Sequence, residues 1–276
     1  MSRRRPRHSR SRRGAGWQTT GGVVLLGAVI IALAIGFYQL IVTRERHTAI
    51  DRETYCPTTG AESVTAVIID TTDEFSLVQR TDLLNEIEKL IAAVPRFGAL
   101  EIYAVGPVEL EPPQPVFRKC NPGRAVEISE WTGNPKRVER DWQEGFREPV
   151  EAVLARMLAP AGAASSPILE SIQWVTVNSL TAPGRSEIPR RLVLISDLLQ
   201  HTAGLSLYRG TVDFASFART PYYRRVRAPL SGIAIDLLIV RRNTRAGTQE
   251  SALIRFWTDY FDAQGAKSLR IVNLAG

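Results

Sequence analysis

Four carboxylates in this chain fall where an α/β sheet keeps its chemistry. Val64 to Glu74 reads VTAVIIDTTDE, an apolar run of strand length that stops at Asp70, with Asp73 and Glu74 close behind. Val64, Ala66, Val67, Ile68 and Ile69 alternate too poorly for a half-exposed strand and suit one buried on both faces. Arg191 to Asp197, RLVLISD, has the same build and also ends in an acid. Open α/β sheets hold their ligand sites at the carboxyl ends of strands, so both runs are expected to deliver their acids to one edge. Carboxylates brought that close repel unless screened or protonated. A hard divalent cation relieves the repulsion, taking one or two carboxylates, hydroxyls and waters. The competing reading is plainer: Thr72 or Asp73 caps one helix, Ser166 caps another, and Asp197 is a turn acid.

Other chemistries fit less well. A haloacid-dehalogenase-type phosphotransferase wants D-x-D-x-T after its first strand, but the residue two after Asp70 is Thr72. A Ser/His/Asp hydrolase wants a nucleophile between glycines at a strand–helix turn, and neither Ser76 nor Ser196 has that setting. His201 reads as a loop histidine. No G-x-x-x-x-G-K phosphate loop occurs. Two cysteines and three scattered histidines give no zinc spacing.

The acids need elements to position them. After the strand at 64–69, Leu84, Ile87, Leu90, Ile91 and Val94 form one apolar helical stripe, closed by Pro95. Leu100–Val105 is a second strand, followed by a Pro-rich link and a short edge strand at Val116–Arg118. Arg137–Ala159 is helical, with Pro149 expected to kink or divide it. Ser166-Pro167 opens the next helix. A strand at 191–196, a short helix around Asp213–Arg219, a strand at Ile233–Val240, a helix at Gln249–Ala263 and a strand at Leu269–Leu274 complete the order. Such alternation predicts an α/β fold, a Rossmann-like, doubly wound and mostly parallel sheet. The Tyr222-Tyr223-Arg224-Arg225 run reads as a loop whose tyrosines pack on the domain.

At this point the chain resembles a von Willebrand factor A (vWA) domain. That family carries an apolar strand ending in D-x-S-x-S, a Ser or Thr before a later helix, and an Asp ending a further strand. Here Asp70-Thr71-Thr72-Asp73-Glu74 matches the first motif, with Glu74 in place of its last Ser. Ser165 or Ser166 in SSPILESI matches the second and Asp197 the third. The resemblance covers residues 62–275 and implies a metal-ion-dependent adhesion site. Its ligands would be Asp70, Thr72, Glu74, Ser166 and Asp197, holding Mg²⁺, Mn²⁺ or Ca²⁺ and presenting it to an acidic group on a protein partner. A divalent-metal hydrolase or phosphatase on the same scaffold is the alternative, and a structural protein with a vestigial site the third reading.

The +7 net charge is uneven. Residues 1–46 hold nine arginines and one acid, leaving 26 of the 35 basic residues against 27 of the 28 acidic ones. The folded part therefore carries no nucleic-acid signal. Residues 1–20 read as a disordered Arg-rich tail. Residues 21–43 read as an uncleaved transmembrane helix, since no charge falls between Gly21 and Val42. Residues 44–61 form a connector, and 62–276 the domain. Arginines concentrated before the span keep the N-terminus in the cytoplasm; in a bacterial inner membrane the domain is then periplasmic. Cys56 and Cys120 can pair in such a compartment. If the first strand runs up to Asp70 and the edge strand through 116–118 returns, both cysteines reach the opposite end of the sheet.

The topology has a direct test. Protease added to spheroplasts should digest the chain beyond residue 44; a protected domain would reverse the orientation.

Overall fold

The structure, a computed structural model, describes residues 16–45, 49–105, 113–128, 134–159, 163–208, 213–241 and 247–274. Most of the expected Arg-rich tail and much of the Pro-rich link lie outside them. The chain divides into two compact units, Met1–Ala49 and Ile50–Gly276. The first contains one helix, α1 (Gly16–Glu45), of 30 residues. Its large apolar side chains from Val24 to Tyr38 stand exposed. Among the described residues no helix is long and apolar enough to cross a membrane; the side chains described on α1 are only those of residues 24–38.

The second unit is built on a six-stranded mixed sheet. Its strands are β1 (Ser63–Ile69), β2 (Gly98–Ala104), β3 (Phe117–Cys120), β4 (Arg190–Ser196), β5 (Ile233–Val240) and β6 (Ser268–Leu274). They lie in the order β3-β2-β1-β4-β5-β6. All neighbours are parallel except β3, which pairs antiparallel with β2. Every residue of β1 is buried, Ser63 and Thr65 along with its apolar majority. Val64, Ala66 and Ile68 enter one core with α5 (Ile168–Val175) and α8 (Gly247–Ala263). Val67 and Ile69 enter the other with α2 (Leu77–Ala93), α3 (Pro135–Trp142) and α4 (Glu148–Met157). Helices thus cover both faces of a Rossmann-like α/β sheet, as expected.

Local chemistry sets the helix boundaries. Ser76 caps α2: its hydroxyl accepts from the Gln79 N–H, and the Gln79 side chain accepts from the Ser76 N–H in return. Thr72 and Asp73 do not cap it. The helix expected at 137–159 is divided in two as α3 and α4, with Pro149 in the first turn of α4. A π-helical turn, Gln143–Arg147, joins α3 to α4. Proline has no N–H to offer the carbonyl four residues back; the Lys119 ammonium donates to that Gly145 carbonyl instead, at 3.0 Å. The Tyr222–Arg225 run is not a loop. It forms α7 (Pro221–Arg225), capped by Thr220 with Pro221 in the first turn, and Tyr222 is buried. A further short helix, α6 (Phe214–Ala218), is capped by Asp213.

Cys56 and Cys120 form a disulfide with Cα atoms 4.8 Å apart. Cys120 pairs with Ala99 near the start of β2, at the end of the sheet away from Asp70. The returning edge strand and its cysteine are where strand directions placed them. The Cys120 N–H also donates to the Thr54 carbonyl at 2.8 Å, so the connector covers part of the β3 edge. Closing the 64-residue separation contributes about 4 kcal/mol in the chain-entropy account.

One acid is fully enclosed. Glu101 in β2 has no exposed surface. It accepts from Tyr103 at 2.6 Å and Ser179 at 2.5 Å, and pairs with Arg185 at 2.8 Å and Arg118 at 3.2 Å. Burial pushes its pKa up, but the Ser179 and Tyr103 bonds and the Arg185 charge outweigh that and hold it below the ordinary carboxyl value. A group depressed on folding stabilises the fold above its unfolded pKa, and that contribution disappears as pH falls through the folded value. Glu101→Gln should therefore cost about 1–3 kcal/mol at neutral pH by removing the charge to which Ser179, Tyr103 and Arg185 are bonded. Its melting temperature should also fall less steeply than wild type as pH drops below about 4. Equal melting curves at pH 7 would show that the buried acid contributes nothing.

Candidate functional site

β1 and β4 are neighbours, yet β2 and β3 continue the sheet on one side and β5 and β6 on the other. The chain reverses its direction of winding between them, and the carboxyl ends of such a pair form the crevice where open sheets bind ligands. Ile69 pairs with Ile195 at the last rung. The Asp70 N–H extends the ladder by donating to the Ile195 carbonyl at 2.8 Å. Asp70 and Asp197 therefore leave adjacent strands at one edge, 6 % and 7 % exposed.

The Asp70 carboxylate is saturated. One oxygen accepts from the Thr72 hydroxyl at 2.6 Å and the Thr72 N–H at 3.1 Å. The other accepts from the Ser196 hydroxyl at 2.9 Å and the Ser166 hydroxyl at 3.1 Å. These four bonds occupy the roughly four lone-pair sites that a carboxylate offers. They are charge-assisted, the strong kind, and they join the ends of β1 and β4 to the loop before α5.

Ser166 arrives by backbone pairing. Ser166 and His201 exchange N–H to carbonyl bonds, each 2.9 Å, and the Ala163 N–H reaches the Thr72 carbonyl at 3.1 Å. Between the two sequence candidates for this place, it is Ser166 whose hydroxyl meets Asp70. It does not cap α5, whose N-cap position is Pro167 with no side-chain cap bond. Asp197 turns the chain by accepting the Leu199 N–H at 3.0 Å. Glu74 is exposed. Among the described residues no three His, Cys, Asp or Glu side chains gather into a metal-holding group. The site so described is two buried carboxylates with hydroxyls rather than a nest of acids.

Ser196 and Tyr208 were not anticipated. Ser196 is wholly buried, and a serine ending an otherwise apolar strand beside an acid is the signal that could have marked it. Tyr208 is 46 % exposed. Its hydroxyl donates to Asp73 at 3.2 Å, and its ring stands edge-on to His201 at 5.1 Å. Partial burial, then the charges of Asp197 and Asp73, push its pKa up to about 12. His201 shares a 2.9 Å bond with Ser206, the loop role expected of it.

No protein-family model matches this chain, and no curated protein does. A solved aerotolerance-related membrane protein from Bacteroides fragilis, carrying multiple mutations to serines, is similar at 12 % identity over 76 % of this chain and 91 % of its own. Its TM-score is 0.33, too low to carry an argument about this chain.

Ser196→Ala should destabilise the domain by about 2–3 kcal/mol, because it removes a bond to a buried charge and leaves the Leu198 N–H without its acceptor. Urea unfolding at pH 7 measures this. A midpoint equal to wild type would mean that water replaces the hydroxyl at no cost.

Proposed function

We propose that this chain is a membrane-anchored, vWA-like interaction module. Its Asp70 site takes a divalent cation, Mg²⁺ by preference, and through it an acidic group of a protein partner in a cell-envelope assembly. The observation that carries the reading is the direction of the hydroxyl protons. Thr72 and Ser166 each donate their one proton to Asp70, so the lone pairs of both oxygens remain to face a cation. Asp70 then orients ligands in the manner of an outer-shell carboxylate. Asp197 supplies charge from the next strand, and Glu74 is the ligand nearest solvent. Oxygen donors and few carboxylates match the habits of Mg²⁺.

Residues 21–43 are proposed as the membrane anchor, on the strength of the uncharged run from Gly21 to Val42 within α1. At 1.5 Å per residue that run spans about 33 Å, enough for a hydrocarbon core. The domain would then face the periplasm of a bacterial cell, where the Cys56–Cys120 bond persists.

Calorimetric titration of the detergent-solubilised chain with millimolar Mg²⁺ or Mn²⁺ should give a saturable heat and a raised melting temperature. Asp70→Asn and Asp197→Ala should each abolish the heat while keeping the circular dichroism of the wild type. A wild-type protein silent to both ions would sink the adhesion-site reading and leave the hydroxyl cluster a structural one.

A further inference from the structure

Leu198, directly after Asp197, has φ of 67°. That left-handed conformation is unfavourable for a leucine, and it persists only where the surroundings over-determine it. Its peptide groups are held on both sides. The Leu198 N–H donates to the Ser196 hydroxyl at 2.8 Å, and that same hydroxyl donates to Asp70. The Leu198 carbonyl accepts from the Gln200 N–H at 3.1 Å and from the indole N–H of Trp257 at 3.0 Å. The Leu198 side chain is itself fully buried.

Trp257 lies in the middle of α8, with no exposed surface, its ring within 6 Å of Phe256, Tyr260 and Phe261. An indole this enclosed needs a partner for its N–H. The partner it has is a strained carbonyl one residue from a site acid, and not a carbonyl of its own helix.

We propose that Trp257 is a positioning residue for the Asp70–Asp197 site. Its indole N–H holds the Leu198 carbonyl, the left-handed turn at Leu198 aims Asp197, and Ser196 passes the same constraint to Asp70. The position of α8 and occupancy of the site are thereby coupled, and by reciprocity a cation at the site tightens the Trp257–Leu198 bond. The coupling rests on the cation-binding reading above; the holding of the loop does not.

The test uses the full chain in detergent with Trp257→Phe, which keeps an aromatic ring while removing the N–H donor and the second ring, and Trp174→Phe as control for the loss of ring volume. Without any metal, hydrogen exchange of amides 196–200 should quicken about tenfold in Trp257→Phe, with β1 and β2 amides unchanged. Mg²⁺ affinity should fall about tenfold, the scale on which outer-shell substitutions act. The wild-type indole N–H resonance, assigned by its loss in Trp257→Phe, should shift as Mg²⁺ is added. Trp174→Phe should match wild type throughout. Unchanged exchange at 196–200 overturns the holding role. Faster exchange with unchanged affinity, or an indole resonance indifferent to Mg²⁺, overturns the coupling. A wild type that binds no Mg²⁺ overturns the cation reading and the coupling with it, while the exchange result still decides whether Trp257 holds the loop.

Discussion

The second unit's upper edge depends on one carboxylate having no lone pair to spare. Asp70 is buried, and a buried charge is tolerable only when it is paired or fully hydrogen-bonded. The chain supplies the bonds from three places: Thr72 in its own loop, Ser196 at the end of the neighbouring strand, and Ser166 ahead of α5. None of these segments could drift without leaving the charge underbonded. The three loops are therefore mutually registered by electrostatics, where the strands beneath are registered by their ladder and by apolar burial.

The contrast between the two ends of the sheet follows from the same economy. At the lower end, Cys56–Cys120 ties the connector to β3, and the Thr54 carbonyl receives the Cys120 N–H. On β2 and its edge, Glu101 draws in Arg118, Arg185, Ser179 and Tyr103. Two left-handed residues, Tyr55 beside Cys56 and Phe97 just before β2, belong to this end as well. The upper end holds a leucine in a left-handed turn and a half-exposed tyrosine against an acid. What sets the upper end apart is the half-exposed aromatic ring held against an acid where two strands open, a contact that cohesion alone does not require.

Much of this was legible in the residues. A strand buried on both faces is apolar at most positions, so VTAVII and RLVLIS announced themselves, and the acids ending them fell at the predicted edge. The disulfide followed because strand direction decides which end of a sheet a residue occupies. What stayed hidden depended on partners far away in sequence. Glu101 looks like one polar residue in LEIYAV; its burial is tolerable only because residues 118, 179 and 185 converge on it. Pro149 announces the division of its helix, but nothing local shows that Lys119 takes the carbonyl it abandons. Leu198 gave no warning at all, since leucine has no preference for the conformation that it adopts.

The hydroxyls sharpen what the site can be. If Asp70 bound a cation directly, it would have to surrender one of its four bonds and strand a buried donor, at a cost of about 1–3 kcal/mol. If it instead keeps them, Thr72 and Ser166 meet an incoming ion with their protons already committed and their lone pairs outward, so no reorganisation is needed when the ion arrives. The second course is cheaper by the whole cost of the stranded donor.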